Sequence, residues 1–272
     1  MAYIEIRDLK AEADGLEILK GIDLDIEKGD VFGLLGPNGH GKSTLLTCIM
    51  GNPHYKITSG SIKIAGVEIV GKTPDEISKL GVFYCFQNPP EVQGVVSMDF
   101  YKAAINAHRE KPINLVDYYT QLEKAYKDVG LPSEMKERHL NEDFSGGEKK
   151  RNEILQMLLL HPAIAMMDEI DSGLDVDAIR SVGQNIVKLE KEGTTFIVVS
   201  HYARLFDEIH PNKSAVIING KVALTGGPDL IQRVDNEGYG FLRDEYGIDI
   251  SKMEEKRDVV EDVFAHEVGK AK

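Results

Sequence analysis

Residues 36–43 read Gly36-Pro37-Asn38-Gly39-His40-Gly41-Lys42-Ser43 and match the phosphate-binding pattern G-x-x-x-x-G-K-[ST] at every fixed position. They follow Val31-Phe32-Gly33-Leu34-Leu35, a short apolar run that suits a strand buried on both faces within a parallel sheet. Residues 42–50 continue as a helix. In that order the glycines let backbone N–H groups turn inward, while the helix presents its positive N-terminus to an anion. Lys42 is expected to reach the β and γ phosphates of a nucleotide, the Ser43 hydroxyl to coordinate Mg²⁺, and Thr44 to bond a phosphate oxygen.

Outward from this loop, apolar runs recur at 82–86, 164–167 and 195–200 with helical patterns between them, so the core reads as α/β with a parallel sheet. Residues 3–7 and 22–27 alternate apolar and polar side chains, as strands with one wet face do, and predict an antiparallel edge sheet. Between residues 88 and 143 the pattern turns helical. Helices are expected over 99–110 and 114–129, broken by Pro89-Pro90, Pro112 and Gly130-Leu131-Pro132. The stretch 251–272 is highly charged, with Val259, Val260 and Val263 as a thin apolar stripe, and reads as a peripheral helical tail.

Several runs end on residues with chemistry. Ile164-Ala165-Met166-Met167 leads into Asp168-Glu169, residues 82–86 into Gln87, and residues 195–200 into His201. Taken singly, a carboxylate pair after a strand is as readily a helix cap or a solvated turn, and a lone glutamine or histidine is ordinary surface. Their order along the chain argues otherwise. A second glycine stretch, Phe144-Ser145-Gly146-Gly147-Glu148-Lys149-Lys150-Arg151, precedes a helix expected from 148 to about 160, and so makes another N–H nest at a positive helix end.

Together these stretches resemble the motifs of ATP-binding-cassette (ABC) ATPases. The resemblance implies one domain over 1–250, with a RecA-like parallel-sheet core, an antiparallel β subdomain and a helical subdomain inserted at about 88–160. It implies ATP and Mg²⁺ as cofactors. Gly36, Pro37, Asn38, Gly39, His40, Gly41, Lys42, Ser43 and Thr44 would hold the nucleotide, and Ser43, Gln87 and Asp168 the metal. Glu169 would act as general base, with Gln87 near the attacking water and His201 on the γ-phosphate. Ser145, Gly146 and Gly147, with Asp175 in Ser172-Gly173-Leu174-Asp175, would complete the site of a second copy, so the working enzyme is expected to dimerise. One family feature is missing: Asp14-Gly15-Leu16-Glu17-Ile18-Leu19 carries no aromatic residue to stack on adenine, which leaves Leu16 or Ile18 for that contact.

Composition narrows the function. With 45 acidic against 32 basic residues in 272, the net charge of −13 gives no general attraction to nucleic acid, and none is expected as a partner. Two cysteines, Cys48 and Cys85, are too few for a disulfide framework and fit a reducing, cytoplasmic setting; both fall in apolar segments and read as buried hydrophobes. The longest apolar stretch, 155–167, is interrupted by Gln156, His161 and Pro162 and falls short of the roughly 20 residues of a spanning helix. Direct membrane insertion is therefore not expected, nor does the stretch 1–6 resemble a leader.

Longer matches point within the family. Residues 144–157, the run Asp168-Glu169-Ile170-Asp171-Ser172, the pair His201-Tyr202 with Arg204, and Gly238-Tyr239-Gly240-Phe241-Leu242 resemble the SufC family, the ATPase subunits of the SUF iron–sulfur cluster assembly machinery. That resemblance implies a SufB/SufD-like scaffold as partner. Docking would fall on the helical subdomain and on Asn88-Pro89-Pro90-Glu91-Val92-Gln93-Gly94-Val95, and the cluster ligands would reside on the partner. The alternative is the ATPase subunit of a membrane importer.

Overall fold

Strands with no exposed residue belong in the middle of a sheet, and three of the segments expected to be buried are of that kind. The computed structural model describes residues 2–200 and 203–250. The chain begins with β1 (Ile4–Ala13), β2 (Leu16–Ile26), β3 (Val31–Leu35), α1 (Lys42–Ile49), β4 (Lys56–Ile64), β5 (Val67–Glu68), α2 (Pro74–Lys79) and β6 (Val82–Cys85). It continues through β7 (Val92–Val96), α3 (Ser97–Ala107), α4 (Leu115–Val129), β8 (His139–Leu140), α5 (Gly146–Leu160) and β9 (Ile164–Asp168). The last elements are α6 (Val176–Lys191), β10 (Thr195–Val199), α7 (Ala203–Ile209), β11 (Lys213–Ile218), β12 (Lys221–Gly226), α8 (Pro228–Glu237) and α9 (Gly240–Tyr246). The charged tail expected over 251–272 lies outside the described residues, as does His201.

The central sheet has the order β12-β11-β3-β10-β9-β6; β11, β3, β10, β9 and β6 run parallel, and β12 pairs antiparallel at the edge. Every residue of β3, β9 and β10 is buried. Side chains alternate across a strand, so each supplies two cores. Phe196 and Val198 of β10 and Ala165 and Met167 of β9 join the cluster formed with α3, α4, α5 and α6. Ile197 and Val199, with Ile164 and Met166, join the opposite cluster, which includes Leu45, Leu46, Cys48 and Ile49 of α1. Over that second cluster lies the expected antiparallel sheet, β2-β1-β4-β5. Its first two strands are longer than the alternation at 3–7 and 22–27 suggested, because bulges between Ile6 and Leu9 and around Ala11 carry the hairpin on to Ala13 and Leu16.

The helical subdomain has clear local causes. α4 is capped by Asn114, whose side chain accepts the Val116 N–H, and ends at Gly130 in the left-handed conformation. α5 begins with a capping box: Ser145 Oγ accepts the Glu148 N–H while the Glu148 carboxylate accepts the Ser145 N–H. Residues 92–96, which follow the two prolines, are extended. They form β7, paired with β8 beyond α4. A buried polar chain binds these pieces: Asn141 Nδ2 donates to Pro90 O, Asn152 Nδ2 to Asn141 Oδ1, and Tyr101 OH to Asn152 Oδ1. Each donor has its acceptor, so this network stabilises one arrangement of the segment after Gln87.

Cys48 and Cys85 are buried free thiols, as expected; burial raises Cys48 to about 12 and Cys85 well above its ordinary value, so neither supplies a thiolate. Glu153 of α5 is the unexpected buried acid. It is 4% exposed, and burial raises its carboxyl to about 7, against opposing hydrogen bonds from the Phe86 N–H and Gln156 Nε2. A carboxyl raised on folding binds its proton more tightly in the folded state, so stability is lost as pH rises from the ordinary 4.5 through about 7. Glu153→Gln, uncharged throughout, is expected to gain about 3 kcal/mol relative to wild type between pH 4 and pH 8. Denaturant midpoints of the two proteins at both pH values measure this; a constant difference would contradict it.

Candidate active site

The phosphate loop is constrained from behind. Gly36 has φ +143°, and a Cβ there would stand 2.3 Å from Ile217 O of β11, so no larger residue fits. Its N–H donates to Tyr239 OH at 2.9 Å. The residue at the start of α9 therefore supports the loop, which gives the Gly238–Leu242 stretch a physical role. The His40 side chain is buried and faces away from the loop cavity: Nδ1 accepts the Asn219 N–H, while His40 O accepts the Gly220 N–H. Gly220 O in turn accepts Lys20 N–H of β2. Of the loop residues, His40 thus contributes its backbone and an anchor to the β11–β12 turn.

Lys42 Nζ donates to Gly36 O at 2.7 Å and Pro37 O at 3.1 Å, which holds the ammonium inside the curl of the loop. Burial lowers its pKa to about 8, and the charges of Glu169 and Asp168 oppose that fall. Ser43 Oγ donates to Asp168 Oδ1 at 3.0 Å, joining the start of α1 to the end of β9. Tyr84 OH donates to Asp168 Oδ2 at 2.9 Å. Burial raises the Asp168 carboxyl above its usual range, while the bonds from Ser43 and Tyr84 act the other way. Gln87 Nε2 donates to Glu169 Oε2 at 2.7 Å. Glu169 has φ +50°, an uncommon conformation for a residue with a side chain, and its N–H is held by Val199 O of β10.

A cavity of about 530 Å³ is lined by Asn38, Gly39, Gly41, Lys42, Ser43 and Thr44 together with Gln87 and Glu169. Parallel pairing makes this convergence: β3, β6, β9 and β10 all end at the same edge of the sheet, so the residues that follow them meet there. Hydroxyl, carboxylate and amide oxygens at Ser43, Asp168 and Gln87 form a hard donor set, which suits Mg²⁺. Ile18 lines the cavity, as one of the two aliphatic candidates for adenine. Leu16, the other, is 60% exposed and does not line it. Tyr55, between α1 and β4, does, so an aromatic side chain reaches the cavity from a segment other than the expected one.

The second glycine nest is also formed. Ser145 caps α5, and Gly146 and Gly147 open its first turn, with Gly147 facing Leu174 of the Ser172–Asp175 stretch. Asp175 caps α6 by accepting the Ala178 N–H. Sequence reasoning missed Lys150. Its Nζ donates to Glu169 O at 2.8 Å and Ser172 O at 2.6 Å, tying α5 to the loop after β9. The available signal was its position: residues 150, 154 and 157 share one helix face, and the latter two are apolar core. Tyr84 was missed as well, although a buried tyrosine within a strand needs a partner for its hydroxyl.

This fold and cavity define a nucleotide-binding ATPase domain in which a phosphate loop, a buried carboxylate and a positioned second carboxylate share one sheet edge. The ABC transporter family matches residues 19–172, and the chain belongs to that family of ATP-binding proteins. It is an ABC-type ATPase that uses ATP with Mg²⁺. It is 43% identical over 248 residues to Vegetative protein 296 of Bacillus subtilis, covering 90% of this chain and 95% of that protein. To the protein named Probable ATP-dependent transporter slr0075 of Synechocystis it is 41% identical over 243 residues, covering 88% and 95%. Among solved structures, a dimeric cassette, MJ0796, bound to ADP and Pi is similar, with a TM-score of 0.73 at 20% identity over 83% of this chain and 98% of that one. Among the described residues no helix is long and apolar enough to cross a membrane.

Proposed function

We propose that the chain is the ATPase subunit of a SUF-type iron–sulfur cluster assembly complex, in which two copies close on ATP and move a SufB/SufD-like scaffold. The support is the set of sequence matches beyond the general family motifs, above all Gly238–Leu242, whose Tyr239 braces the phosphate loop. The setting is cytoplasmic, with no nucleic acid partner. Importer ATPase remains the second reading, favoured by relatives that are named as transporters.

In this reading Gly36, Pro37, Asn38, Gly39, His40 and Gly41 wrap the phosphates, Lys42 binds the β and γ groups and Thr44 bonds a phosphate oxygen. Ser43, Asp168 and Gln87 would hold Mg²⁺, which when bound neutralises phosphate charge. Glu169 takes a proton from water; the water oxygen bonds the γ-phosphorus as the bond to the bridging oxygen breaks, leaving ADP and phosphate. Gln87, already on Glu169, orients that water, and His201 contacts the γ-phosphate. The Ser145, Gly146 and Gly147 nest binds the γ-phosphate held by a second copy, with Asp175 at the same interface. Loss of that phosphate releases the pair and so moves whatever is docked on the helical subdomain and residues 88–95.

Glu169→Gln is expected to bind ATP normally and to slow hydrolysis by roughly 100-fold or more; near-normal turnover would remove Glu169 from the role of base. Mixing Ser145→Arg with Lys42→Ala subunits is expected to recover activity, because each heterodimer keeps one complete composite site. A mixture as inactive as either parent, with heterodimers present, rejects the shared site. The partner is identified by tagging the chain in its native cell, separating soluble and membrane fractions, and sequencing what co-purifies. A SUF scaffold in the soluble fraction is the expected result, whereas a multi-spanning permease would establish transport.

A further inference from the structure

Two Asn-Gly pairs occur in the chain, Asn38-Gly39 in the phosphate loop and Asn219-Gly220 in the turn behind it. Asparagine followed by glycine is chemically labile, because no Cβ on the glycine shields the nitrogen. That nitrogen attacks the asparagine side-chain amide carbon, and an N–C bond forms as ammonia leaves. The N–H proton passes to solvent base, and a solvent proton departs with the ammonia. Water then opens the five-membered imide at either carbonyl, giving aspartate or isoaspartate. The rate therefore depends on how freely the glycine N–H sits and in what field.

The fold treats the two pairs differently. Asn219 (φ +51°) and Gly220 (φ +76°) have the positive angles of a tight hairpin turn, which joins β11 to β12. The Gly220 N–H donates to His40 O at 3.0 Å, and the Asn219 Nδ2 that would depart donates to Asp249 O at 2.9 Å. Gly220 is buried and packed so closely on β2 that a Cβ there would stand 1.9 Å from Ile18 O. Nucleophile and leaving group are thus both held. Asn38 and Gly39 are instead exposed, and both line the nucleotide cavity. Among the described residues no hydrogen bond holds the Asn38 side chain or the Gly39 N–H.

The surroundings of Gly39 also favour the anion that must form. Lys42 lies within the same curl, its Nζ on Gly36 O and Pro37 O, and α1 presents its positive end there. A loop that can receive phosphate charge stabilises a deprotonated backbone nitrogen by the same electrostatics. We infer that Asn38 is a site of spontaneous deamidation in the nucleotide-free protein, and that its clamped counterpart Asn219 is spared. Isoaspartate at position 38 carries an extra main-chain methylene, which re-aims the N–H groups around Gly39 and removes that copy's phosphate site. Bound phosphates engage those N–H groups and hold the loop, so nucleotide protects its own site. That protection rests on the proposed wrapping of phosphates by residues 36–41; the contrast between the two pairs does not.

The test incubates full-length protein at pH 8 and 37 °C, nucleotide-free or with Mg²⁺ and the non-hydrolysable analogue AMP-PNP. Both positions are followed by peptide mass spectrometry and isoaspartyl methyltransferase labelling. Chain unfolded in urea sets the reference, in which the two pairs react at similar rates. In folded, nucleotide-free protein position 38 is expected to convert about ten-fold faster than position 219, on the order of the cost of freeing one hydrogen-bonded N–H. By the same reasoning AMP-PNP is expected to slow position 38 about ten-fold and to leave position 219 unchanged. Binding capacity for AMP-PNP should fall in step with isoaspartate at position 38. Equal rates at the two positions, faster conversion at 219, or a position 38 that stays intact while the urea sample converts overturns the inference. So does full binding by protein whose position 38 is largely isoaspartate. AMP-PNP that binds without slowing position 38 overturns the protection. AMP-PNP that fails to bind overturns the phosphate-loop reading and the protection with it, while the contrast between the two positions stands.

Discussion

The phosphate loop has to keep backbone N–H groups turned inward toward an anion and still hold one shape. Residues 36–41 cannot do this by themselves, because the glycines that permit the curl also make it soft. The structure supplies the stiffness from outside. Ile217 O leaves no room beside Gly36, Tyr239 OH takes the Gly36 N–H, and His40 is tied to the β11–β12 turn through Asn219 and Gly220. The same turn accepts Lys20 N–H, so a run of hydrogen bonds joins the antiparallel sheet to the loop. Elements far apart in sequence thus meet behind a loop of a few residues.

In front of the loop the demand is electrostatic. Asp168 and Glu169 are adjacent acids at the end of a fully buried strand, where burial and the neighbouring charge of Glu169 both penalise the ionised Asp168. Ser43 and Tyr84 donate to Asp168, Gln87 donates to Glu169, and Lys42 lies close enough to feel both charges. Lys150 acts on the backbone beside them. It holds the backbone carbonyls of Glu169 and Ser172, and so fixes the turn that carries them. The left-handed conformation of Glu169 is maintained by that staple and by Val199 O.

The helical subdomain reaches this centre by polar contacts across its apolar packing. Pro90, Asn141, Asn152 and Tyr101 form one linear chain, and Glu153 and Phe86 form another contact a residue along α5. Both hold the segment around Gln87. A helix whose exposed start is a glycine nest, and whose middle grips that segment, joins the two through one rigid body. Apolar packing alone would allow these helices to slide; fully satisfied buried hydrogen bonds favour one register.

The α/β class, the parallel core and the order of the motifs were legible in the sequence because they depend on local signals. Continuous apolar runs mark β3, β6, β9 and β10, glycines mark the loops, and Asn114 and Gly130 mark the ends of α4. Lys42, Ser43, Asp168 and Glu169 could be placed at one edge of the sheet for the same reason, since each sits at or just beyond a strand end. What tertiary structure decided is every contact made by a side chain to a distant segment. Tyr239 against Gly36, Tyr84 against Asp168, Tyr55 at the nucleotide cavity and Lys150 on the turn after β9 depend on which elements lie side by side. The pairing of β7 with β8, and the burial of Glu153 against the Phe86 N–H, follow from the same cause. Periodicity records which face of an element is buried; the partner on the other side of that face is chosen only when the layers pack.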